Sequence, residues 1–145
     1  MFKLHTEAFL RDLAKAATAF PAKTKTALTR TSQAAAVYAR VSRLYKSHTY
    51  TLRGSIKDQG LTKDFTARVV ADAGYAYWVE NGTRPHVIEP HRKKVLRFEK
   101  GGEIFFRRRV FHPGTAPRPF MQEGADKSTP LFERLCLEAV STMFQ

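Results

Sequence analysis

The sequence predicts an α+β fold, and three observations predict it. Apolar residues recur at three- and four-residue steps near both ends of the chain, the mark of amphipathic helices. A stretch of strict alternation stands in the middle. Two apolar runs flank Gly101-Gly102, a hairpin signal. Helices first, antiparallel strands next and a helix last are segregated elements, so the class is α+β: N-terminal helices, a small antiparallel β-sheet with a β-hairpin, and a C-terminal helix. The 145 residues are 43% hydrophobic with eleven Phe, enough for one modest core. A single domain over 1–145 is expected, with a helical part at 1–46, a β-rich part at 47–118 and the C-terminal helix in 119–145.

Each element has its own reason. Phe9, Leu10, Leu13, Ala16, Ala17 and Phe20 form the first apolar stripe. Pro21 lacks an N–H and clashes with the preceding turn, so it is expected to break or kink this helix. A second helix then carries Ala34, Val37, Tyr38, Val41, Leu44 and Tyr45 on one face, with a basic, Ser/Thr-rich face opposite. The polar segment 47–60 reads as a loop or short strand. Phe65, Ala67, Val69 and Ala71 alternate with Thr66, Arg68 and Val70 and predict a half-buried strand.

Tyr75 to Glu80 is either a helical turn or a strand, closed by the turn signal Asn81-Gly82-Thr83. Val95–Lys100 and Glu103–Phe111 form the hairpin arms. A two-residue turn would set Phe98 opposite Phe105 and Leu96 opposite Arg107, whereas a bulge would regroup the faces. Pro113, Gly114, Pro117 and Pro119 mark an irregular loop. The last helix is expected from Pro130 to Phe144, with Thr129 as N-cap and Pro130 in its first turn. Its stripe is Leu131, Phe132, Leu135, Cys136, Ala139 and Met143, and residues 120–126 form an earlier turn or helix on the same axis.

Charge is the strongest compositional feature. Lys and Arg number 25 against 13 Asp and Glu, a net charge of +12. Between Asp12 and Asp58 there is no acid, but nine bases: Lys15, Lys23, Lys25, Arg30, Arg40, Arg43, Lys46, Arg53 and Lys57. A second basic block runs from Arg84 to Arg118 and includes Arg92-Lys93-Lys94 and Arg107-Arg108-Arg109. Two such blocks point to a negative partner: nucleic acid, an anionic surface or an acidic protein. Cys136 alone cannot build a disulfide framework, so an oxidising compartment is not required. No apolar run approaches the ~20 residues of a membrane span, and the charged opening segment is unlike a secretory leader. No membrane role and a reducing cytoplasm are expected.

Catalytic patterns are missing from the sequence. His86 and His91 are separated by Pro90 on an extended segment, which sets no metal-binding face with His112 or Glu89. Cys136 sits in an apolar stripe that favours an inert thiol. The sequence contains no nucleophile elbow, phosphate loop or dinucleotide fingerprint, and Glu80, Glu89, Glu99 and Glu103 have no pairing set by spacing. The expectation is a non-enzyme without metal or cofactor. Arg107, Arg108 and Arg109 beside Phe105, Phe106 and Phe111 combine phosphate-binding charge with stacking rings, so a small basic nucleic-acid-binding module is the alternative.

Two stretches carry a resemblance. Tyr75-Ala76-Tyr77-Trp78-Val79-Glu80-Asn81-Gly82-Thr83 is followed, after the hairpin, by His112-Pro113-Gly114-Thr115-Ala116-Pro117-Arg118-Pro119-Phe120-Met121 and the last helix. Together they resemble the head–tail joining or tail-completion (neck) family of long-tailed bacteriophages, the minor tail protein Z type. The family's upstream Thr-Gly-x-Leu-Arg-x-Ser-Ile element falls on Thr49 to Ile56, with Tyr50 where Gly is common. By motif the resemblance covers about residues 45–125.

The resemblance implies a virion structural protein of the neck or upper tail, present in the host cytoplasm during assembly. It implies a homo-oligomeric ring, a hexamer as first guess, that meets connector, neck or tail-tube proteins and contacts phage DNA non-specifically. In that role Arg53 or Arg84 pairs with Glu80, or Glu80 is simply solvated. Gly82 permits a sharp turn, Pro117 and Pro119 fix an extended approach, and Phe120 anchors the last helix. Tyr75, Tyr77 and Trp78 are core or subunit interface, with core expected for at least two of them. Arg107, Arg108 and Arg109 face a neighbouring ring or DNA.

Overall fold

A computed structural model describes residues 6–46, 49–91 and 93–142 of the chain. It has the expected α+β class, with long helices at both ends and three small antiparallel sheets between them. The chain forms two compact units: residues 1–76 with 119–145, and residues 77–118.

The first unit is built on two helices. α1 spans Thr6–Val41 and α4 spans Phe120–Ser141. They run antiparallel, Ala35 and Ala39 meeting Gly124 while Ala27 and Arg30 lie beside Leu135 and Ala139. The helices approach closely because their contact residues are small: Ala27, Ser32, Ala36, Ala39 and Ser128 are all buried. A Cβ on Gly124 would stand only 2.7 Å from the Ala35 carbonyl oxygen and 3.0 Å from the Ala39 methyl.

Both helices run through a proline: α1 is not broken at Pro21, and α4 takes in the segment 120–126 that was expected on its axis. Pro21 lies inside α1 and Pro130 inside α4. An interior proline costs a helix about 3 kcal/mol, and in α4 packing on both sides of the defect holds the axis together. α4 meets α1 before Pro130, at Gly124, and after it, at Leu135. Thr129 is therefore not an N-cap; its hydroxyl donates to the Ala125 carbonyl oxygen at 3.1 Å, from within the helix. The helix begins instead after Pro119, whose carbonyl accepts the Glu123 N–H at 2.9 Å.

The buried face of α1 also differs from its bulky apolar stripe. Val37, Tyr38 and Val41 are exposed, as is Leu44 beyond the helix end, while the neighbouring Ala face is buried; of the expected stripe Tyr45, also beyond the helix end, is buried. Close helix packing selects the smallest side chains, and the larger ones are left facing outward. The side chains of Phe9, Leu10, Leu13, Ala16 and Ala17, together with Arg92 and Met143, lie outside the described residues.

Segment 47–60 gives a short helix and a strand. α2 spans Thr51–Ser55 and β1 spans Ile56–Leu61; β1 pairs antiparallel with β2, Ala67–Ala71. Phe65 precedes β2 instead of continuing its inner face: its φ is 55°, in the left-handed region, and its ring is exposed beneath the Lys25 ammonium at 5.5 Å. The Thr62–Thr66 turn imposes this, with the Thr62 N–H donating to the Thr66 carbonyl at 2.9 Å. Arg40 ties α1 to this sheet, its Nε and Nη2 donating to the Ile56 carbonyl at 2.9 and 2.6 Å.

The second unit is held by backbone pairing. α3 spans Ala76–Asn81, a helix where either helix or strand was open. β3, His86–Ile88, pairs with β6, Val110–His112. β4, Leu96–Lys100, and β5, Glu103–Arg107, form the hairpin. Its turn is the two-residue kind: Gly101 and Gly102 have φ of 63° and 84°, so Phe98 faces Phe105 and Leu96 faces Arg107. The expected arm to Phe111 is interrupted. Arg108 and Arg109 leave the hairpin, and Val110 to His112 join β3 instead.

Candidate interaction surface

Two structural anchors organise the residues singled out by the sequence. The first lies in the first unit around Phe120, which is fully buried. Its ring packs on Tyr45 at 4.8 Å between centroids. The Tyr45 hydroxyl donates to the carbonyls of Ala39 and Arg40 at 3.2 and 3.3 Å. Arg53, from α2, lies against the other part of this ring, 5.8 Å from its centroid, with its Nε buried and without a hydrogen-bond partner. Burial raises the Tyr45 pKa, and the adjacent Arg53 opposes the shift. Arg53 thus supports the core as a half-buried cation over an aromatic ring.

Glu123, one turn into α4, completes this anchor. It accepts a short hydrogen bond from the buried Ser42 hydroxyl and an ion-paired one from Lys127 at 2.6 Å. The Lys127 bond first, and the Ser42 bond second, hold its pKa below the usual 4.5. A carboxyl that titrates lower when folded stabilises the fold above its unfolded pKa, and that contribution disappears as pH falls through the folded value. Glu123→Gln is expected to flatten the acid limb of stability against pH. Urea midpoints measured from about pH 3 to pH 7 check this; an acid limb unchanged in E123Q would assign the acid sensitivity elsewhere.

The second anchor joins the two resemblance stretches in the second unit. Thr83 and Thr115 exchange backbone hydrogen bonds at 3.0 and 3.1 Å, and their hydroxyls meet at 2.9 Å. Gly82 and Gly114 make that approach possible. Both have positive φ, 72° and 87°. A Cβ on Gly82 would overlap the Thr115 carbonyl oxygen, and one on Gly114 would overlap the Thr83 carbonyl oxygen. Each glycine therefore makes room for the backbone of the other loop. The Arg118 N–H closes the clamp by donating to Val79 and Glu80 carbonyls at 3.0 and 3.2 Å, so Pro117 and Pro119 flank a fixed strap.

The aromatic residues beside this clamp face outward. Tyr75, Tyr77 and Trp78 are 45%, 65% and 55% exposed, which corrects the expectation that at least two are core. Tyr77 and Trp78 contact each other edge-on at 5.1 Å. Val87 and Phe111 form an exposed cross-strand pair, and Ile104 and Phe106 are exposed on β5. The only described residue of this unit that is buried is Gly82. The second unit has apolar surface but no core of its own. Arg84 is exposed before Pro85, and Arg107, Arg108 and Arg109 are exposed at the end of β5 and the bend after it.

No known protein family, curated protein or solved structure matches this chain. Among the described residues no group of three or more His, Cys, Asp and Glu could hold a metal ion, and no helix is long and apolar enough to cross a membrane. His86 and His112 are cross-strand partners with rings 5.1 Å apart, a pairing the sequence spacing did not reveal. The helix crossing at Gly124 was missed as well; the run Ala34-Ala35-Ala36 was its only sequence signal.

Proposed function

We propose that this chain is a structural component of a phage neck or upper tail, a tail-completion protein that forms a closed ring and joins the tail to the head connector. The observation that carries the reading is the clamp between Gly82-Thr83 and Gly114-Thr115. The two stretches that resemble the family, far apart in sequence, form one backbone-paired unit. Tyr50 adds support: its φ of 57° lies where glycine is favoured, at the position where the family commonly has Gly.

The surface fits an assembly role. Exposed apolar residues grouped on small elements mark surfaces that partners cover, and isolated two-stranded hairpins are marginal in water. A heterologous contact between identical chains closes into a ring when its rotation permits, and six copies are the first expectation. The work of such a protein is binding and geometry, with no reaction and no cofactor. Basic residues on the rim steer docking onto an acidic partner ring beside the DNA path.

Arg107, Arg108 and Arg109 beside exposed Phe106 and Phe111 favour a second reading, a nucleic-acid-binding module. Negative-stain imaging of the purified protein, alone and with tail extract, separates the two. Rings, or tails that become competent to join heads, are expected. A monomer that binds DNA with a steep salt dependence and ignores tails would overturn the neck assignment in favour of the second reading.

A further inference from the structure

The first unit carries an open groove of about 420 Å³ between β2 and α4, with α1 as its floor. Its apolar lining includes Leu28 and Ala35 from α1, Val69 from β2, and Met121, Ala125 and Phe132 from α4. A volume of this size is typical of sites that hold a substantial ligand. The side of β2 away from β1 is an open sheet edge, because among the described residues β2 pairs with β1 alone. Unpaired strand edges are templates for an added strand.

The polar atoms of the groove specify what can enter. Its four hydroxyls all spend their protons on their own helices. Thr31 donates to the Ala27 carbonyl at 2.8 Å and Ser32 to Thr29 at 3.0 Å. Ser128 and Thr129 donate to Ala125 at 2.9 and 3.1 Å. What remains toward the groove is lone pairs, which suit N–H donors and repel phosphate or carboxylate. The exposed stripe of α4 beside this lining carries negative charge. Asp126 and Glu133 stand three residues before and four after Thr129, hence on the neighbouring stripe of α4. Among the described residues neither is paired with a cation, Asp126 accepting only from the neutral Gln122 amide at 2.8 Å. The groove selects an extended, apolar, donor-rich and basic segment.

One segment of this chain has those properties. β5 shows Ile104 and Phe106 on one face, 50% and 54% exposed, and runs directly into Arg107-Arg108-Arg109. Its hairpin pairs with no other strand among the described residues. We propose that β5 of one copy adds to the open edge of β2 in the next. Ile104 and Phe106 then enter the groove, and Arg108 and Arg109, past the end of the strand, meet Asp126 and Glu133. The contact joins different surfaces of two identical chains, so it propagates head to tail and supplies the closure that a ring needs. This docking rests on the ring reading above, and its test keeps the two apart.

The test uses full-length chains in a Cys136→Ser background. One carries Ala125→Cys, the other Ile104→Cys, and a second pair carries Thr129→Cys and Phe106→Cys. Circular dichroism confirms that each variant keeps its helices. With a short bismaleimide, mixed chains are expected to cross-link into A125C–I104C dimers at least about tenfold more than either variant alone. A chain carrying both cysteines is expected to give a ladder of multimers. Rings seen by negative stain without mixed cross-links in either pair would overturn this docking and leave the ring. Cross-linked chains without rings would keep the docking and overturn the ring. A doubly substituted chain that cross-links only to itself would show that the groove is filled within one chain, and would also overturn the docking.

Discussion

Phe120→Ala is expected to destabilise the first unit by about 3–5 kcal/mol, the usual cost of emptying a fully packed aromatic site. Among the described residues Phe120 is the largest side chain with no exposure, and it stands at the first residue of α4. Its loss removes the ring that packs on Tyr45 and leaves a cavity between α4 and the end of α1. The neighbours are poorly placed to collapse into that cavity. Tyr45 is fixed by its hydroxyl bonds to Ala39 and Arg40, and Glu123 is held by Ser42 and Lys127. Urea unfolding followed by circular dichroism measures the change, and Phe120→Leu is expected to lose less because most of the volume remains. A loss below about 1 kcal/mol in F120A would mean that this residue is not the anchor of α4.

Gly82→Ala is expected to open the clamp of the second unit at a cost of about 2–4 kcal/mol. Two penalties act together. A residue with a Cβ pays about 1–2 kcal/mol in the left-handed region that Gly82 occupies. Forcing a methyl group into packed space typically adds about 1–3 kcal/mol, and here the obstacle is the Thr115 carbonyl and the Pro117 backbone, which cannot rotate away as a flexible side chain would. The Thr83 and Thr115 amides, which donate across the clamp, report the event directly. Their hydrogen exchange should accelerate by roughly 30- to 1,000-fold, since each 1.4 kcal/mol is tenfold. The first unit, with its own core, should keep its unfolding midpoint. Unchanged exchange at both amides would show that the clamp tolerates a Cβ.

The sequence carried some of this structure and lacked the rest for identifiable reasons. The hairpin was readable because Gly101-Gly102 alone can supply two consecutive positive φ angles, and that turn fixes Phe98 opposite Phe105. The amphipathic ends were readable as helices because periodicity of 3.6 is a local property. The helix ends were not. Pro21 and Pro130 are local breakers that both helices pass through; at Pro130 packing between α1 and α4 outweighs the cost, and that packing depends on residues about a hundred positions apart. Likewise, apolarity marked Val37, Tyr38, Val41 and Leu44 as a core stripe, whereas close helix approach buried the alanines instead.

The candidate surface divides in the same way. The sequence by itself determined the α+β class, the Gly101-Gly102 turn and the basic blocks, and it left the hairpin register open between a two-residue turn and a bulge. Only the tertiary structure decided the hairpin register, that Gly82 and Gly114 serve one another, that Tyr77 and Trp78 face outward, and that β2 and α4 leave a groove over α1. Periodicity and turn chemistry act over a few residues, so they are written in the local order of the chain. Steric fit between two backbones, and the choice of which apolar face is covered, arise only when distant segments meet.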